Sequence, residues 1–259
     1  MAHLDSYKLK WIAIIGMALF HTIDAFYQVL PLPVIYIFGA AGGLTFPIMG
    51  YFVVEGYKHT SDIKKYLMRL FIFGVIAAPF HMLIYGFGLR LNIMFSIMLC
   101  LITLMLYDKI KTKALFWIFV FPIILIVSML LTMDWVFIGV IVILLYYLIK
   151  NETARRIVPP IVGGVMWLGI ASFSLTGIHM FEAMGDYTGV ESVLAMWSGG
   201  VYSIAAAQVM IIGCITAAIL LKCYNGERGK RMKWLFYAFY PIHLAVISLV
   251  ALALGFITI

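Results

Sequence analysis

KWIAIIGMALFHTIDAFYQ, residues 10–28, decides how this chain is built. Between Lys10-Trp11 at one end and Tyr27-Gln28 at the other, its only strongly polar residues are His21, Thr22 and Asp24. Its length is close to the ~20 residues that an α-helix needs to cross a hydrocarbon core. With His21 and Asp24 inside the apolar run and no small-residue cleavage site, it reads as a retained helix and not as a removed signal peptide, so the mature chain is expected to start near Met1. Similar stretches follow at roughly 34–57, 65–87, 91–107, 114–131, 134–149, 157–174, 198–221 and 234–257, separated by short polar turns. The composition excludes a water-soluble domain: 65% of residues are hydrophobic, 11% are charged, and mean hydropathy is +1.09.

Sidedness follows from the bases. With the N-terminus in the cytoplasm, Arg90 is the one base left outside, and the other seventeen of the eighteen Lys and Arg residues fall at cytoplasmic loops or helix ends. The expected fold is therefore all-α: one polytopic membrane helix bundle over residues 1–259, with about nine transmembrane helices, the N-terminus cytoplasmic and the C-terminus outside. Topology accounts for the net charge of +7, so the implied partner is the lipid bilayer and not nucleic acid. Cys100 and Cys214 lie in spans and Cys223 at the inner surface, without CxxC spacing, which suggests neither a disulfide framework nor a metal site. The sequon Asn151-Glu152-Thr153 sits on the predicted cytoplasmic side and reads as chance. The outer connection 175–197 holds His179, Glu182, Asp186 and Glu191 but no base, and is read as a short helix on the outer surface. Tyr7, Trp11, Trp117, Trp135, Trp197 and Trp234 read as interfacial belt residues.

Polar side chains inside the spans are the candidates for chemistry. At 1.5 Å per residue, His21 lies about 15 Å beyond Trp11 and His243 about 14 Å beyond Trp234, so both reach the bilayer midplane from the same side. Ionisable groups at that depth need partners or water, and they mark function or, more simply, two helices cemented by a hydrogen bond. Asp24, three residues past His21, shares its helix face and can orient the imidazole of a general base. Pro47 with Gly42 and Gly43, Pro79 and Pro241 are expected to break or kink their helices and open a central polar cavity. His81 and Asn92 are candidates for an outward mouth, and Glu55, His59 and Arg69 for an inward one. The loop Tyr224 to Arg231 combines an Asn-Gly turn with Arg228, Lys230 and Arg231, which together can hold a cytosolic phosphate ligand.

Several segments carry a family resemblance. Leu9-Lys10-Trp11-Ile12-Ala13 leading to Met17 and His21, Phe46-Pro47, Glu55-Gly56-Tyr57, His59-Thr60 and Lys65-Tyr66-Leu67-Met68-Arg69-Leu70 are similar to the TraX family. The most specific part is Tyr224-Asn225-Gly226-Glu227-Arg228-Gly229 followed by Phe236-Tyr237-Ala238-Phe239-Tyr240-Pro241-Ile242-His243-Leu244. The resemblance implies a bacterial cytoplasmic-membrane protein related to multi-pass acyltransferases, with acetyl-CoA as donor. The expected activity is acetylation of a peptide amino terminus or an envelope-glycan hydroxyl. Under it, His21, Asp24 and His243 are the catalytic candidates, and Arg69, Arg228, Lys230 and Arg231 the donor-binding ones. Glu55, His59, His81, Asn92 and Tyr240 are the candidates for contacts to substrate. The chain departs from the family pattern at Phe20, where an aspartate is usual, at Gly43, where an arginine is usual, and at Ser61, where a base is common. The competing class is a proton-coupled transporter or channel using the same His and Asp residues.

Overall fold

The computed structural model describes residues 4–86, 90–197, 199–231 and 233–257. These form ten helices: α1 (Ser6–Phe26), α2 (Leu32–His59), α3 (Ile63–Tyr85), α4 (Ile93–Lys109), α5 (Lys113–Leu130, with a π turn over Phe116–Val120), α6 (Val136–Leu148), α7 (Glu152–Ala183), α8 (Tyr187–Leu194), α9 (Val201–Lys222) and α10 (Lys233–Ala253). Seven of them, α1, α2, α3, α5, α7, α9 and α10, are long and apolar enough to cross a membrane. The chain is an all-helical polytopic membrane protein. The other two expected spans, α4 and α6, also form helices but are shorter, at 17 and 13 residues. Ile37, Ile118, Phe119, Phe173 and Ile212 are exposed on the outside of the bundle, where lipid tails take the place of a packed neighbour.

Short polar residues start several of these helices by accepting orphan backbone N–H groups: Asp5 from Lys8, Asp62 from Lys65, Asn92 from Met94, Asn151 from Ala154 and Asp186 from Gly189. Helix α7 runs through to Ala183, well past the 174 expected from polarity. Nothing between 175 and 183 breaks a helix, and the turn comes at Gly185 with φ +71°. The short helix expected in that connection is α8.

The tightest contact joins α2 to α9, for which small residues are the means in a lipid setting. Gly39 and Gly43 stand one turn apart on α2, and Gly213 faces them from α9. A Cβ on Gly39 would lie 2.7 Å from the carbonyl oxygen of Ala206, one on Gly43 would run into the carbonyl of Met210, and one on Gly213 into that of Ala40. Helix α2 is not broken at Pro47, as the sequence led us to expect, and α3 and α10 likewise continue through Pro79 and Pro241. Proline 47 denies the Gly43 carbonyl its helical donor, but the Cys214 thiol on α9 donates to that oxygen at 3.1 Å, so the freed acceptor is satisfied across the interface.

Helix ends that carry the basic clusters gather at one end of the bundle. There Tyr57 and Tyr147 both donate to Asp108, at 2.7 and 2.6 Å, and Arg156 donates to the Tyr224 carbonyl at 3.0 Å. Arg155 is 6% exposed and joins α7 to α2: Nη1 meets Glu55 at 2.7 Å, Nε meets Glu152 at 2.8 Å, and Nη2 donates to the Tyr51 hydroxyl at 3.0 Å. Arg155→Ala leaves Glu55 without its guanidinium partner and is expected to lower stability by about 2 kcal/mol, read as a lower unfolding temperature of the detergent-purified protein. Glu55 and His59, proposed to frame an inward mouth, are thus engaged in this clamp, with His59 Nδ1 donating to the Glu55 carbonyl at 2.8 Å. Extended backbone also ties this end together, as Leu4 and Asn225 exchange hydrogen bonds with Cys223 and Leu4, and Ser6 with Glu227 and Arg228.

At the opposite end two connections dip into the bundle. Leu91 N–H donates to Leu131 at 3.2 Å and Asp134 N–H to Leu91 at 3.3 Å. Non-helical backbone at such depth is tolerated where it lines a cavity.

Candidate functional site

A cavity of about 440 Å³ opens between α1, α2, α4, α7, α9 and α10, closed at one side by these paired connections. Most of its wall is apolar, and Met17, Met49, Met94, Met129, Met133, Met196 and Met210 give it an adaptable surface. Its polar side chains are fewer: His21, Asp24, Thr45, Tyr85, Arg90, Thr132, Asp134, Ser174, Ser203 and Tyr240, beside the tryptophans.

The His21 and Asp24 pair read from the sequence is bridged by a residue that sequence reasoning missed. The Tyr85 hydroxyl donates to Asp24 Oδ2 at 2.6 Å, and its oxygen is 2.7 Å from His21 Nδ1. With the tyrosine proton committed to the carboxylate, the oxygen accepts from His21 Nδ1–H, which leaves the lone pair on Nε2. Asp24 is 6% exposed and also receives the Ser203 hydroxyl at 3.3 Å. This is an oriented imidazole on a cavity wall with its lone pair on Nε2, the tautomer a general base requires. Tyr85→Phe removes the bridge without emptying the site and is expected to slow any His21-dependent turnover about tenfold with little change in folding, measured as kcat against unfolding temperature.

His243 lies against His21 with ring centroids 5.3 Å apart, so α1 and α10 do bring their histidines together. Only His21 lines the cavity, however. Nδ1 of His243 donates to the Phe239 carbonyl at 2.9 Å, and its buried Nε2 has no hydrogen-bond partner among the described residues. Tyr240, fully buried on the cavity wall, likewise holds a hydroxyl with no partner there. An apolar site with an unsatisfied O–H donor is prepared for an oxygen that a ligand brings.

His81 is 1% exposed and sits behind the wall, its ring 4.5 Å from that of Tyr85 and its Nε2 3.6 Å from Asp134 Oδ1. Arg90 lies over the Tyr85 ring at 5.0 Å from its centroid. Asn92 does not line the cavity: it is buried, caps α4 and donates to the Gly74 carbonyl at 2.9 Å. Trp135 and Trp197, read as belt residues, are instead cavity walls. Trp135 stacks on Phe46 at 4.6 Å and adopts φ +60°, and Thr132 adopts φ +40°, left-handed conformations that a bulky or β-branched side chain holds only under constraint. Phe20 stands where the resemblance led us to expect an aspartate, and its ring fills the space over Gly42.

Of the proposed donor contacts, Arg69 lies 5.7 Å from the rings of Tyr66 and Tyr237, with a buried Nε that has no hydrogen-bond partner among the described residues. Lys230 and Arg231 are exposed, as is Arg228, whose carbonyl is held by Ser6.

The chain is 26% identical over 266 residues, 94% of each sequence, to the probable fimbrial assembly protein FimC, serogroup H1, of Dichelobacter nodosus. No solved structure matches it. The model of the TraX protein family matches residues 6–251, which is nearly all of the bundle and includes His21, Tyr85 and His243, and on that extent of match the chain belongs to the TraX family.

Proposed function

We propose that this protein is a membrane-embedded acyltransferase that moves an acetyl group from acetyl-CoA to an amine, foremost a peptide amino terminus, or to a hydroxyl. The observation that carries this reading is the chain from Asp24 through Tyr85 to His21 Nδ1, which orients the ring with its lone pair on Nε2 beside a largely apolar cavity. The acceptor nitrogen attacks the thioester carbonyl carbon, the C–N bond forms and the C–S bond breaks. His21 takes the proton the nitrogen loses and returns it to the leaving sulfur, so the thiol departs neutral. The Tyr240 hydroxyl is placed to donate to the carbonyl oxygen as charge develops on it. His243 is a positioning residue that packs on His21.

The relative from Dichelobacter nodosus is named for fimbrial assembly, which favours a fimbrial or pilus subunit as acceptor here. The base-rich end of the bundle, with the N-terminus, is assigned to the cytoplasm by the positive-inside rule, and the Arg90 end to the outer face of the cytoplasmic membrane. Incubation of the purified protein with acetyl-labelled acetyl-CoA and a synthetic peptide with a free amino terminus tests this. Label on the peptide with release of free CoA supports the acyltransferase, whereas a proton-coupled transporter releases no CoA.

A further inference from the structure

Lys10 occupies an unusual place. Its ammonium lies 4.9 Å from the Phe52 ring centroid and 5.7 Å from that of Phe236, between α1, α2 and α10, and among the described residues it makes no ion pair. The acids of that end are engaged elsewhere: Glu55 and Glu152 with Arg155 and Arg156, Asp62 with Lys65, Asp108 with Tyr57 and Tyr147, Asp5 with the backbone N–H of Lys8, and Glu227 with Asn225. Another cation, Arg228, acts on Lys10 electrostatically. An ammonium held between two aromatic rings, with no carboxylate paired to it among the described residues, is an anion site by charge balance.

The position connects this charge to the cavity. Phe236 is at once the ring against Lys10 and part of the cavity wall. Lys10 precedes His21 by eleven residues on the same helix, a rise of about 16 Å. That separation suits a phosphorylated donor whose acyl group sits at the end of a long flexible arm, and it is far too long for a compact donor such as acetyl phosphate. The exposed side chains of Lys230 and Arg231 do not share this place.

We propose that Lys10 is the seat for a phosphate or pyrophosphate group of the acyl donor, and that the donor's arm passes Phe236 to reach His21. The inference rests on the acyltransferase reading and names where its donor is held. Phosphate chemistry at this seat has two sources, a donor nucleotide or an anionic lipid headgroup.

Calorimetric titration of the detergent-purified protein with CoA, with inorganic pyrophosphate and with short-chain phosphatidylglycerol separates them. Wild type is expected to bind CoA saturably, pyrophosphate to compete and phosphatidylglycerol not to. Lys10→Gln should weaken CoA binding about tenfold or more, Lys10→Arg should largely restore it, and Lys8→Gln should leave it unchanged. Unaltered CoA binding by Lys10→Gln, competition by the lipid instead of pyrophosphate, or no CoA binding by wild type overturns the assignment. If Lys10→Gln does not fold, amine acylation of the wild type read by mass spectrometry takes its place: protection of Lys10 by CoA supports the seat, and equal labelling with and without CoA overturns it. The seat and the reaction fail separately. A wild type that binds CoA through Lys10 yet transfers no acetyl group keeps the seat and loses the acyltransferase, and transfer with Lys10-independent CoA binding does the reverse.

Discussion

His21→Ala is expected to reduce acetyl transfer about 10²- to 10⁴-fold while the protein still folds, inserts and binds CoA. The reason lies in what fixes the ring. Tyr85 and Asp24 spend two hydrogen bonds on holding one tautomer, and a structural histidine in this cavity would need no more than one. Alanine leaves Asp24 with Tyr85 and Ser203 as donors, so the carboxylate stays satisfied and the loss falls on chemistry. His243→Ala removes a ring that packs on His21 without lining the cavity, and its effect on rate should be smaller. Rates of both variants on one acceptor peptide, beside their unfolding temperatures, give the order. Parental turnover by His21→Ala would remove the imidazole from the mechanism.

The second large effect is on folding. Family resemblance makes arginine the obvious residue to restore at position 43, and Gly43→Arg is expected to abolish the folded bundle. Any side chain there begins inside the Met210 carbonyl, and its neighbour Gly213 meets the Ala40 carbonyl in the same way. Helices α2 and α9 would have to separate along most of their length, removing the Cys214 hydrogen bond to Gly43 and leaving that carbonyl without a donor in an apolar interior. Size-exclusion chromatography of a fluorescent fusion should show aggregate in place of the sharp parental peak. A monodisperse Gly43→Arg protein at the parental unfolding temperature would show that the backbones do not approach as closely as they do here.

Helices were legible because lipid imposes one rule on every span: a long apolar run with its backbone bonds closed internally. The two histidines were legible for the complementary reason, as ionisable groups at that depth are costly. What the chain hid was anything decided by three-dimensional proximity. Tyr85 ends α3 beside Gly86, where a tyrosine reads as an interfacial anchor, although its spacing of four from His81 places both on one helix face. Asp134 falls in a short polar turn, and no periodicity tells a turn at the surface from one folded inward. Trp135 and Trp197 have belt composition but cavity positions, set by the same turns. Pro47 and Pro79 were read as breaks and Pro241 as a kink because the sequence does not reveal a neighbour able to donate to the freed carbonyl. For Pro47 that neighbour is a single thiol, Cys214, 171 residues beyond the Gly43 carbonyl in sequence.

The 32 residues of α7 make a rod of about 48 Å, against a hydrocarbon slab of roughly 30 Å. Some combination of tilt and overhang must absorb the surplus, and the exposed His179 and Glu182 near its far end favour overhang. Lipid chain length therefore becomes a physical variable for this protein: thinner bilayers leave more of the rod in water and thicker ones oblige it to stand more upright, shifting the Trp197 rim of the cavity relative to the headgroups.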